Sequence, residues 1–232
     1  MVLNVRLVEE ARQRACEAAA RVGPADGLDT EPAMPPRSSP VTPPAVPTEE
    51  GAVDRLVAPA YVFAGGEGRY AGRELLSEPP GTLAQAIGSV VEIESPVHVD
   101  DVTTRVAAMW DTRAGTRIQS RIVEACALAE RQHLIERRGE FLWNPGHDVV
   151  VRSRAGTRIP AERIAPEEYR SAVMAVLDGN RAFARPALVN EVRSLFGFAR
   201  TGPSLDEAIS TTVAAMLADG VLGEGSTGIR RR

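Results

Sequence analysis

The stretch from Thr112 to Pro145 constrains the fold of this chain more than any other. It reads TRAGTRIQSRIVEACALAERQHLIERRGEFLWNP. Ile118, Ile122, Ala125, Cys126 and Ala129 recur at the three- and four-residue steps of one helix face, which predicts a helix from about Ala114 to Gln132. LIERRGEFLW then alternates as two short strands turning at Arg138-Gly139. A helix followed at once by a hairpin is the reading end of a winged helix-turn-helix.

Two shorter helices precede it. Leu83, Ile87, Val90 and Val91 make the first, which ends near Ser95-Pro96. The second runs from His98 to Met109, with Asp100 and Asp101 in its first turn, where carboxylates suit the helix dipole. The pattern then returns. A helix opens at Pro166 over Ala172, Val173, Val176 and Leu177; another opens at Pro186 over Leu188, Val192 and Leu195. A third buries Leu205, Ile209, Val213 and Met216, and Val221, Leu222 and Ile229 supply a short wing. Val173 follows Ile87 by 86 positions, and Val192 follows Val106 by the same 86. Leu205, Ile209 and Val221 follow Ile118, Ile122 and Leu134 by 87. A sustained match with a single one-residue slip marks an internal duplication.

The expected architecture is mainly α with small β wings. It comprises an N-terminal helix over 1–22, a disordered Pro-rich linker over 23–51, a small β lead-in over 52–81, and winged helices over 82–155 and 156–232. The linker is dense in proline, serine and acid and has too little apolar surface to fold. In the lead-in, two short strands are expected around Gly65-Gly66-Glu67-Gly68. A nucleotide-loop reading fails there, because the third glycine of a GxGxxG pattern is misplaced at Gly72.

Composition removes several chemistries. All 27 basic residues are arginine. Without lysine there is no P-loop lysine, no Schiff base and no kinase-type ATP lysine. Cys16 and Cys126 sit on separate expected helices, away from any metal-spaced pair, and read as small buried apolar residues. His98 reads as a capping or surface residue in preference to a ligand or a base, and His133 and His147 stand alone. No catalytic constellation is found, and neither a cofactor nor a metal is expected. The absence of a long apolar run predicts no membrane span and a cytoplasmic location.

The motifs ESPVHVDDVTTRVAAMW, RAGTRI, ERRGEFLWNPG and FGFARTGPSL resemble an uncharacterised C-terminal domain of very large bacterial proteins. Those proteins join a superfamily I DNA/RNA helicase to a nuclease domain related to very-short-patch repair endonucleases. The resemblance covers roughly residues 84–222, and APAYVFA before it is similar to their lead-in. It implies work on DNA or RNA beside a helicase or nuclease subunit, in restriction or phage defence. The chain departs from that family in carrying neither helicase nor nuclease motifs.

Net charge is −4, so a nucleic-acid footprint must be a local arginine cluster. Arg113, Arg117 and Arg121 are spaced to share one side of the third helix, away from Ile118 and Ile122, and Arg137 and Arg138 stand at the wing tip. Three to five phosphate contacts from this set predict a salt slope of about −3 to −4 in log–log terms. The acids nearby, Glu124, Glu136 and Glu140, argue equally for a solvated face with local ion pairs. In the second copy the equivalents are Arg200, Ser204 and Ala208, so its third helix is expected to pack or to meet protein. Trp110 and Trp143 are expected to be core or edge anchors, Trp143 packing the wing onto its domain, with stacking on a base as the rarer use. The competing expectation is a module that docks on partner subunits without touching nucleic acid.

Overall fold

A computed structural model describes residues 56–200 and 202–232. The helix expected over 1–22 and the linker expected over 23–51 lie outside the described residues. The described part is mainly helical, with small antiparallel sheets.

The first repeat starts with helix α1, Pro80–Glu94, whose proline sits in the first turn where its missing N–H costs nothing. Strand β1, Val97–His98, leads into α2, Val99–Met109. His98 caps α2 as expected: its Nδ1 accepts the Asp100 amide at 3.2 Å. Helix α3, Thr116–Arg131, buries Ile122, Ala125, Cys126 and Ala129, and leaves Ile118 half-buried at its open end. The hairpin of β2, Glu136–Arg138, and β3, Phe141–Trp143, follows. The sheet order is β1-β3-β2, with Val97 opposite Leu142 and Arg137 opposite that same Leu142 on the other side. The core gathers Leu83, Ile87, Val90, Val102, Val106 and Ile122.

The second repeat has the same order. Helices α4, Pro166–Val176, α5, Arg185–Leu195, and α6, Pro203–Ala218, are followed by β4, Leu222–Gly225, and β5, Gly228–Arg231. Phe183 bridges Ile229 antiparallel, as Val97 pairs Leu142 in the first repeat. Phe183 stands 86 positions after Val97, and Ile229 stands 87 after Leu142. The slip inferred from the apolar pattern therefore reappears in backbone pairing. Leu188, Val192, Leu205, Ile209, Val213 and Met216 form the second core.

The lead-in departs from expectation. Its described part forms no named strand, only one parallel bridge between Ala60 and Ser153. Burial falls on every third residue, Ala58, Tyr61 and Ala64, while Val57, Val62 and Phe63 point outward. A three-residue period is that of an extended polyproline-like turn, which the alternating pattern of a strand does not produce. The glycines then take left-handed turns, with φ of +110° at Gly66, +69° at Gly68 and +82° at Gly72. These turns bring the Gly68 and Tyr70 amides onto Ala108 O and Met109 O at 2.8 and 2.7 Å, satisfying the last carbonyls of α2.

Gly51–Arg232 forms one compact unit, and the segment between the repeats explains why. Arg152 donates to Glu94 O at 2.9 Å and Pro96 O at 3.0 Å in the first repeat. Arg154 forms a two-pronged pair with Glu168 of α4, one prong at 2.7 Å and the other through Nη1 and Oε1. Tyr61 of the lead-in donates to Glu94 at 2.8 Å, and both guanidinium groups lie over its ring, at 4.7 and 4.9 Å. Burial, opposed by Glu168, holds the Arg152 guanidinium below its ordinary pKa; burial and the Glu94 carboxylate push the Tyr61 phenol up.

Candidate nucleic-acid interface

The exposed side of α3 is a stripe of Arg117, Ser120, Glu124, Ala127 and Arg131, spaced at three and four residues. The arginines expected to share this helix are distributed differently. Arg113 lies in the exposed turn before α3, since the helix starts at Thr116 after the Gly115 cap. Arg117 is exposed on the first turn. Arg121 folds back instead: its Nη2 donates to Glu78 O at 2.9 Å and its Nη1 lies 3.6 Å from Glu124. Only 26 % of its side chain is exposed, and its Nε is buried without a partner. The reason lies in the lead-in. Glu78 is buried against Trp110, whose Nε1 donates to it at 3.2 Å, and its carbonyl needs a donor that Arg121 supplies.

The hairpin arginines stand at the other end. The Arg137 amide donates to Glu130 at 3.2 Å, which ties the hairpin to the last turn of α3. Glu130 is 13 residues beyond Arg117, a rise of about 20 Å along the helix. Arg113 and Arg117 therefore form one cationic end and the hairpin another. Arg137 is exposed, with its Nε turned to Gly139 O at 3.1 Å. Arg138 pairs with Glu136 at 2.9 Å and lies 4.4 Å over the Trp143 ring.

Arg131 escaped the sequence reading. It closes the exposed stripe beside the hairpin and has no carboxylate partner among the described residues. The signal was the stripe itself, which runs on from Arg117 at helical spacing to position 131. Glu124, exposed at mid-stripe, interrupts the positive surface. Trp143 is 2 % exposed and Trp110 3 %: Trp110 joins the first core, while Trp143 is buried at the edge, beneath Arg138. Cys126 is buried too, and burial pushes its thiol up to about 11.

Among the described residues no group of three or more His, Cys, Asp or Glu could hold a metal, and no helix is long and apolar enough to cross a membrane. A family model described as a protein of unknown function (DUF3320) matches residues 73–120. The match runs from the end of the lead-in through α1 and α2 to the first turn of α3, and so includes Arg113 and Arg117 but not the hairpin. No curated protein and no solved structure matches the chain.

Proposed function

We propose that residues 82–232 are a tandem winged helix-turn-helix that holds nucleic acid, DNA or RNA, by its phosphate backbone. It would act as an accessory to a helicase-nuclease in restriction or phage defence. The observation that carries this is the exposed α3 stripe with arginines at both ends, Arg113 and Arg117 before it, Arg131, Arg137 and Arg138 behind. A helix lying in a groove meets phosphates at its two ends, and a wing meets the adjacent backbone. Glu124 at mid-stripe opposes close contact with a phosphate and leaves the ends to supply the attraction. The helicase-nuclease setting rests on the motif resemblance, which the matched segment 73–120 overlaps from about residue 84 onward.

Anisotropy titration of a fluorescent duplex with the Arg117→Ala/Arg131→Ala variant tests the site. Affinity should fall and the salt slope should flatten by about 2, one for each lost contact. Arg121→Ala should leave the slope alone and lower the melting temperature, because its guanidinium serves Glu78 O. The reverse pattern would remove this site.

A second reading, docking on a partner subunit, has its own observation. Leu56, Val57, Val62 and Phe63 of the lead-in are exposed apolar side chains, with Val57 81 % exposed. Partner-subunit binding that is lost when these become serine, with no duplex binding at low salt, would favour this reading over the first; partner binding unchanged by the serine variant would remove the lead-in as its surface.

A further inference from the structure

The geometry points to a second phosphate-binding site on the hairpin of the second repeat, formed by Arg181, Arg230, Arg231 and Arg232. It is separate from the α3 site and does not depend on it. The third helix of this repeat, α6, carries no arginine, but the β4–β5 hairpin carries two and the residue after it a third, against one carboxylate at Glu224. None of the four arginines pairs with a carboxylate among the described residues, whereas Arg105, Arg138, Arg152, Arg154, Arg163 and Arg170 all do.

Their placement follows from strand register. Phe183 and Ile229 exchange both backbone hydrogen bonds, at 3.0 and 2.8 Å. Arg181 stands two residues before the bridged Phe183 and Arg231 two after the bridged Ile229, so the antiparallel bridge brings both to the same end of the hairpin. The Arg181 guanidinium lies 4.9 Å over the Phe183 ring, which keeps its stem on the sheet. On the other face Arg230 pairs with Gly223, and Arg232 lies across that same glycine: a Cβ there would come within 3.1 Å of its Nε. The missing side chain at position 223 is what lets the Arg232 stem lie flat. Where the first hairpin buries Trp143, the second sets Arg230 outward, 87 positions later.

The ligand class follows from shape. The hairpin tip is Gly225-Ser226-Thr227-Gly228, slim and polar, with arginines behind it on both faces. Such a tip enters a nucleic-acid groove, and arginines on both faces then meet the two flanking phosphate rows. A flat bilayer would meet one face only. A protein partner would want an apolar centre; of the exposed large apolar residues only Leu56 and Val57 come near the set, sharing a pocket with Arg181, and none is carried by the hairpin itself.

The full chain with Arg181, Arg230, Arg231 and Arg232 changed to Gln is titrated against the same duplex at low and high salt. The salt slope should flatten by about 3 to 4, affinity at low salt should fall at least about tenfold, and the melting temperature should hold. Arg230→Gln alone, a change to one exposed side chain, should flatten the slope by about 1 and keeps the test open if the quadruple variant fails to fold. Affinity and slope equal to the unmodified chain would overturn the site. So would unmodified chain that binds phosphatidylserine vesicles or poly-glutamate through these arginines and ignores duplex. If only the Arg117→Ala/Arg131→Ala variant loses binding, this site falls while the α3 site stands; if only the hairpin variants do, the converse holds.

Discussion

The same hexapeptide, RAGTRI, occurs at 113–118 and at 154–159, and its first arginine has opposite fates. Arg113 stands exposed in the turn before α3, while the Arg154 side chain is 1 % exposed and locked to Glu168. Local sequence does not distinguish them; a glutamate fourteen residues further on, carried in by α4, does. Glu168 accepts from the Arg152 amide at 2.9 Å and faces both guanidinium groups. Its replacement by alanine leaves two buried cations without their carboxylate, a loss of the kind that costs about 3–5 kcal/mol. Urea denaturation of Glu168→Ala should register that drop. A change under about 1 kcal/mol would mean that solvent reaches the pair. This network was hidden in the sequence because nothing in VVVRSRAGTR announces burial: arginine usually faces water. The five arginines read from the sequence were legible as charge, and four stand at the surface. Arg121 differs because its partner, the Glu78 carbonyl, is backbone and leaves no trace in residue type.

At the level of elements, periodicity served well where one face is buried. The core positions expected for α1 to α6 are buried or nearly so, because a 3.6-residue period has few rivals over eleven residues or more. The lead-in was misread because its burial repeats every three residues, a period that neither strand nor helix templates detect. The strand-like bridge at Phe183 was also invisible, being a single pair. Its geometry depends on Gly228, at φ +114°, where a Cβ would fall 2.4 Å from Phe183 O. Gly228→Ala should therefore open the bridge, cost about 1–3 kcal/mol, and speed amide exchange at Phe183 and Ile229. Gly225→Ala, where a Cβ meets nothing within 4 Å, is the matched control. Equal exchange in both variants would show that the bridge does not hold the hairpin.

In the whole molecule two repeats share one strap, and Tyr61, Glu94, Arg152, Arg154 and Glu168 bind lead-in, first repeat and second repeat together. Repeats fixed in this way move as one body, so under the proposed function contacts made by α3 and by the second hairpin would add to one binding event. Net charge is −4, and the acidic remainder repels a polyanion at distance, which leaves attraction to these arginine sets alone. Association should then be weak at physiological salt and strongly salt-dependent. The most direct test is a titration of the unmodified chain against a short duplex between about 50 and 200 mM salt, the range over which counterion release separates phosphate binding from other modes. A log–log slope of about −4 or steeper is expected from the five arginines around α3, with the second hairpin adding to it. No binding at the lowest salt, or binding whose slope stays near zero, would contradict the account.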